Sequence, residues 1–209
     1  FIPNAFNTAD GANGLVAGTS ALAFVALISV APHDLVPFLL AAIVGCLVFL
    51  VFNLISGRFF LGDGGAYFLG VLAGLSLVMV SNETDVSVWW LLSLVFYPVA
   101  DLIWSMARRL RAGVSPLIPD NQHFHNLLFA WLSAGNQSPM RANNCTGAFV
   151  VAIFSGAPFL LAMLQVLPLE DAKWFFIVVC QWVLYIIGSK YLSDRLCVLP
   201  TATVRNVTT

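Results

Sequence analysis

The sequence predicts an all-α membrane protein, a polytopic helix bundle with about six transmembrane helices. Three observations carry this expectation. Of 209 residues, 60% are hydrophobic and 9% charged, with a mean hydropathy of +0.91, whereas a soluble domain carries about 25% charged residues. The apolar residues form continuous runs rather than alternating with polar ones, which argues against membrane strands. The basic residues gather in every second connection, as alternating cytoplasmic loops do.

Six runs qualify as spans: 14–30, 36–55, 66–80, 87–106, 146–167 and 174–190. A helix needs roughly 20 residues to cross the hydrocarbon. The third run reaches the working minimum of about 17 residues only if its helix starts at Gly65 and takes in Ser81. The fourth carries Pro98 and Asp101, and a carboxylate at membrane depth calls for a cavity or a partner, such as a nearby arginine. Asn53 and Gln181 lie inside apolar runs and are expected to bond between helices.

Six spans divide the connections between two faces. Arg58, Arg108, Arg109, Arg111, Arg141, Arg195 and Arg205 fall on the face that holds 1–13, 56–65, 107–145 and 191–209, with Lys190 at its border; Lys173 alone falls on the other. The first face is therefore expected to be cytoplasmic, with 107–145 as a large cytoplasmic loop and 1–209 as one integral membrane domain. Net charge is −1, which gives no field for nucleic acid, and none is expected as a partner. The four cysteines show no metal-binding spacing. A dense polar motif opens at Asn4, so the chain is expected to be the C-terminal part of a longer protein.

Three polar motifs fall on the expected cytoplasmic face. "NTADGANG" places Asn7, Asp10 and Asn13 three apart, with Gly11 and Gly14. They converge on a pocket if a turn opens into a helix; the alternative is an Asx-turn with a helix cap. "LGDGGAY" sets Asp63 between Gly62 and Gly64, before a helix whose N-terminus favours anions. Asp63 is suited to magnesium, which takes few protein ligands and shares its shell with phosphate; the alternative is a capping aspartate. "PDNQHFHNLL" holds Asp120, His123 and His125. Histidines two apart share one side of an extended segment and can bind phosphate or metal or move protons; the alternative is a solvated loop. In "RRLRAG", Arg109 can meet a nucleotide diphosphate, or the run can serve topology alone.

Together, "NAFNTADGANGL", "FLGDGGAYFLG" and "PVADLIWSMARRLRAGVSPLIPDNQHFHNLL" resemble successive cytoplasmic motifs of the polyprenyl-phosphate N-acetylhexosamine-1-phosphate transferases, and the last motif resembles the polysaccharide-initiating branch. The resemblance runs from Asn4 to about Leu128. It implies transfer of a sugar-1-phosphate from a UDP-N-acetylhexosamine to polyprenyl (undecaprenyl) phosphate. UMP would be released and envelope polysaccharide synthesis initiated, with Mg2+ (or Mn2+) as cofactor, at the cytoplasmic face of a bacterial inner membrane. On this resemblance Asp63 and Asp10 belong to the metal and phosphate region, Asn7 lines it, Asn13 helps hold the nucleoside, and His123 and His125 close over the nucleotide sugar. Gly62, Gly64, Arg109 and Asp120 are expected around the substrate.

The chain departs from the family's pattern in three places. Asn13 stands where aspartate is common, and Asn126 stands where a further histidine is common. The paired aspartates of an earlier loop are missing from the expected cytoplasmic segments. A non-catalytic membrane subunit or degenerate copy is the rival reading. A transporter ranks below it, because no inverted repeat is present and the motifs sit at a boundary rather than at the midplane.

Overall fold

The computed structural model describes residues 1–115, 121–135 and 137–198, and among these all regular structure is helical. In order the helices are α1 (Ile2–Ala9), α2 (Leu15–Ile28), α3 (Val36–Ser56), α4 (Gly62–Glu83), α5 (Val88–Leu94), α6 (Phe96–Arg111), α7 (Phe124–Ser133), α8 (Pro139–Val151), α9 (Ala157–Met163) and α10 (Trp174–Val198). A π-helical turn, Ala152–Gly156, joins α8 to α9, so the two run as one element, Pro139–Met163.

The chain is a multi-pass membrane bundle, but the expected six spans are too many. Among the described residues four helices are long and apolar enough to cross: Val36–Ser56, Gly62–Glu83, Pro139–Met163 and Trp174–Cys197. A fifth exists if α5 and α6, bent by 82°, count as one span. That bend has a local cause. Pro98 has no N–H to give to the carbonyl of Leu94, so one helix ends at Leu94 and another starts beyond Val95. The run 14–30 yields only the 14 residues of α2, about 21 Å long. This helix is apolar all round and is buried along most of its length, from Leu15 to Leu27. It is the bundle's central helix, enclosed by α3, α4 and α8. The third run gains what the sixth count loses: Gly62, at φ +66°, lets α4 begin three residues earlier than the Gly65 start, and the helix continues to Glu83.

Small residues set how closely the helices approach. A Cβ on Gly70 of α4 would lie 2.7 Å from Pro3 Cα and 3.0 Å from Phe6 Cβ of α1. Gly74, one turn on, faces Ile2 less tightly, a Cβ there meeting its side chain at 3.5 Å, and Ala66, one turn back, is fully buried. The spacing Ala66–Gly70–Gly74 is a small-residue stripe against which α1 lies. It fixes the end of α1, and hence Asp10, beside the start of α4, and hence Asp63.

Candidate active site

Asp10 follows α1, and its backbone N–H closes back on the Asn7 carbonyl at 3.3 Å. The turn that follows passes through Gly14 at φ +74° and enters α2. Four asparagines hold this turn. Asn13 gives its N–H to Asn143 Oδ1 at 2.9 Å and its side-chain amide to Asn144 Oδ1 at 2.8 Å. Gly14 N–H donates to Asn53 Oδ1 at 2.7 Å, while Asn53 Nδ2 reaches the Phe59 carbonyl at 2.7 Å and Asn13 Oδ1 at 3.4 Å. Asn144 Nδ2 donates to the Leu54 carbonyl at 2.9 Å. Gly147 lets α8 lie directly on this backbone, for a Cβ there would collide with the Asn13 carbonyl oxygen. The interhelical role expected for Asn53 is thus present, and Gln181 likewise donates to the carbonyls of Ser93 and Phe154.

Asp10 and Asp63 open into one cavity of about 270 Å³, which Asn13, Asn53, Gly62 and Asn143 also line. None of the described side chains that line it is basic. Burial, and then the charge of Asp63, push the Asp10 carboxyl up to about 6. Two carboxylates lining one cavity, with no basic side chain among its described lining, fit a divalent ion. No three of the described His, Cys, Asp and Glu residues converge as metal ligands, so a closed zinc set does not fit. Magnesium does, since it takes one or two carboxylates and completes its shell with phosphate oxygens and water.

The histidine motif packs against the same turn. His123 is the extended residue before α7, and His125 lies in the helix's first turn. Their rings nevertheless lie parallel, 12° apart with centroids at 5.6 Å. Phe124 between them is an anchor, set among the rings of Phe154, Tyr185 and Tyr97. Both histidines are buried, which rules out the solvated loop. Asp101 of α6 holds the motif in place of an arginine partner: Oδ2 accepts from His123 Nδ1 at 2.6 Å, and Oδ1 accepts from Phe124 N–H at 3.1 Å and Tyr185 O–H at 2.7 Å. Tyr97 takes His125 N–H at 3.2 Å. Two of the free N–H groups that every helix start exposes are therefore satisfied from α6. The far side of His125 faces Gly11 so closely that a Cβ on Gly11 would land on Nε2.

Asp10, Asn13, Gly62 and Asp63 thus share one cavity, and His123 and His125 stand beside it. Asn13 contributes its edge, with its amide already engaged by Asn53 and Asn144. Asn7, Gly64, Arg109, His123 and His125 do not line this cavity; His125 meets it only through Gly11. Nothing crowds Gly64, since a Cβ there would meet no atom within 4 Å. Arg109 lies in the last turn of α6, and Asp120 lies outside the described residues. Sequence reasoning missed Tyr97, Tyr185, Asn143 and Asn144. The adjacent asparagines ahead of an apolar run were the one signal available for the last two.

The fold and site define a multi-pass helical membrane protein with facing carboxylates and ordered imidazoles at one end of its bundle. Residues 1–81, which hold the first two motifs, match the family model of Glycosyl transferase family 4. The chain is 34% identical over 142 residues to the undecaprenyl-phosphate alpha-N-acetylglucosaminyl 1-phosphate transferase of Escherichia coli K12, covering 60% of this chain and 37% of that protein. It is 32% identical over 177 residues to the Yersinia pestis protein of the same name, covering 78% and 44%. It is 29% identical over 154 residues to the decaprenyl-phosphate N-acetylglucosaminephosphotransferase of Mycolicibacterium smegmatis, covering 61% and 37%. These matches bear out the resemblance to polyprenyl-phosphate N-acetylhexosamine-1-phosphate transferases. The chain spans less than half the length of these relatives. No solved structure matches it.

Proposed function

We propose that the complete protein transfers N-acetylglucosamine 1-phosphate from its UDP-sugar to a polyprenyl phosphate, undecaprenyl phosphate in the relatives from Escherichia coli and Yersinia pestis. The observation that carries this reading is the pair Asp10 and Asp63, sharing a cavity whose described lining has no basic side chain. In the reaction an oxygen of the lipid phosphate forms a bond to the sugar-bearing phosphorus. The bond from that phosphorus to the bridging oxygen breaks, and UMP leaves with the electron pair. Such a transfer depends on alignment and charge neutralisation more than on covalent help. Asp10 and Asp63 would hold Mg2+, which supplies positive charge to the diphosphate and to the departing UMP. The acceptor needs no strong base, because a phosphate monoester with a second pKa near 6 is largely ionised at pH 7.

The surroundings support the meeting of a lipid with a soluble nucleotide sugar. An apolar crevice of about 440 Å³ between α2, α3 and α4 shares Ala17, Phe49 and Leu61 with the carboxylate cavity. On the opposite side an amide-lined cleft of about 520 Å³, with Asn121, Gln122 and Asn126, shares Gly11 and Asn143 with it. Arg58 and Arg141 sit on segments that border the site, and Arg195 on the last turn of α10, whose end lines the cleft. This favours the cytoplasmic side of a bacterial plasma membrane by the positive-inside rule.

The test is UMP release by the complete protein in detergent, with undecaprenyl phosphate, a panel of UDP-N-acetylhexosamines, and Mg2+ present or chelated. Release should need both lipid and metal, be fastest with UDP-N-acetylglucosamine, and fall by at least about 10²-fold in Asp63→Asn. A well-folded wild type that releases no UMP from any donor would overturn the reading. Wild-type turnover in Asp63→Asn would remove the metal assignment.

A further inference from the structure

Tyr97 is fully buried, and its hydroxyl meets His125 twice. It accepts the backbone N–H of His125 at 3.2 Å and lies 2.8 Å from Nδ1 of the same residue. A phenol has one proton to give. Among the described residues, the acceptor it reaches is Nδ1. If Nδ1 carried the proton instead, the Tyr97 O–H would be buried without an acceptor, which is costly. Nδ1 therefore accepts, and the ring proton sits on Nε2. Burial supports a neutral ring, pushing His125 down to about 4. Nε2 faces Gly11, one of the two residues, with Asn143, that line both the carboxylate cavity and the amide-lined cleft. The neighbouring imidazole is set the other way: a carboxylate only accepts, so Asp101 draws the His123 proton onto Nδ1.

We propose that Tyr97 is a positioning residue that locks His125 in its Nε2–H tautomer, so that His125 serves sugar-phosphate transfer as a hydrogen-bond donor at the Asp10–Gly11 turn and not as a proton acceptor. The donor role rests on the transferase reading above; the tautomer does not. The stacked pair then carries opposite tautomers, with His123 presenting an acceptor nitrogen when neutral and His125 a donor. A fixed donor aimed at a diphosphate needs no reorganisation as charge develops on the leaving group.

Two measurements on the complete protein in detergent test this. With 15N-labelled histidine, long-range 1H–15N spectra at pH 7.5 should show His125, assigned by its loss in His125→Gln, protonated at Nε2. Tyr97→Phe should shift it toward the Nδ1-protonated form. In UMP release, His125→Gln places an amide N–H near the Nε2 position and should stay within about tenfold of wild type, while His125→Asn reaches only the Nδ1 position and should lose about 10²–10³-fold. Tyr97→Phe should lower kcat with KM little changed. A wild-type His125 protonated at Nδ1, or Gln and Asn variants that are equally inactive, would overturn the proposal, and neither result requires Tyr97→Phe to fold. An Nε2–H tautomer in a protein that releases no UMP would remove the donor role together with the transferase reading, and leave the Tyr97 lock standing.

Discussion

The two halves of the site are built on opposite principles. On one side Asp10 and Asp63 share a cavity, repel each other and find no basic side chain along its lining. On the other, Asp101 is 1% exposed and accepts from His123, Phe124 and Tyr185 at 2.6–3.1 Å. Both halves depend on a carboxylate, yet one carboxylate pair awaits a partner and the other already has three. On the proposed reading the carboxylate half is a binding device whose charge is left for an incoming ion to balance. The imidazole half is an orienting device whose charge is consumed within the protein. On the proposed reading activity depends on both, whereas folding should depend on the second and be opposed by the first.

The largest expected effect separates them. Asp101→Ala would leave three buried donors without an acceptor, and breaking such a buried pair costs roughly 3–5 kcal/mol. Thermal melting in detergent should fall sharply, and UMP release should fall with it. Asp63→Asn should lose activity just as fully, yet melt no lower than wild type in metal-free buffer, because it removes a repulsion. Added Mg2+ should raise the wild-type melting point and not that of Asp63→Asn. If both variants melted lower by similar amounts, the division between binding half and orienting half would fail.

A smaller effect tests how the halves are joined. Gly70→Val would drive a side chain into Pro3 and Phe6, and such overpacking costs about 1–3 kcal/mol. Because α1 carries Asp10, the strain should move Asp10 away from Asp63 and weaken the response to Mg2+, while the His125 tautomer spectrum stays unchanged. Equal disturbance of both readouts would show that α1 positions the imidazole half as well.

The uneven legibility of these halves has a physical basis. Asp10, Asp63, His123 and His125 could be read because polar residues among glycines stand out between apolar runs, and because three ordered motifs resemble one family. The long apolar runs placed α3 to within a residue at either end, and they located α4 and α10, although α4 starts four residues before its run and α10 continues eight residues beyond its own. Tyr97 and Tyr185 were hidden because a tyrosine in an apolar run is compatible with plain packing, and only the fold brings their hydroxyls to His125 and Asp101. The span count was overestimated because hydropathy adds up along a run and ignores Pro98, which splits one run, and the tight turns that hold α2 to 14 residues. The stripe Ala66–Gly70–Gly74 begins inside the motif "FLGDGGAYFLG" and ends four residues past it, yet its partner α1 is too short to signal a packing surface by itself.

The smallest expected effect is also the sharpest on sign, because the two halves titrate in opposite directions. Asp10 is raised from 3.8 to about 6. Its penalty is therefore absent at pH 3.8 and complete above 6, and it lowers stability as pH rises through that window. His125 is lowered from 6.5 to about 4. Its penalty is complete below 4 and absent above 6.5, so it raises stability over nearly the same interval. In metal-free protein the two contributions oppose each other and mask one another in a simple melting curve. Differences between variant and wild type separate them. The melting point of Asp10→Asn relative to wild type should climb between pH 4 and 6, because the variant no longer loses stability as its carboxylate ionises. That of His125→Gln should decline between pH 4 and 6.5, because wild type regains stability as its imidazole sheds a proton and the variant does not. Mg2+ should erase the first difference by holding Asp10 ionised and leave the second in place. Two slopes of the same sign would mean that one of these side chains sits in the opposite environment from the one its neighbours impose.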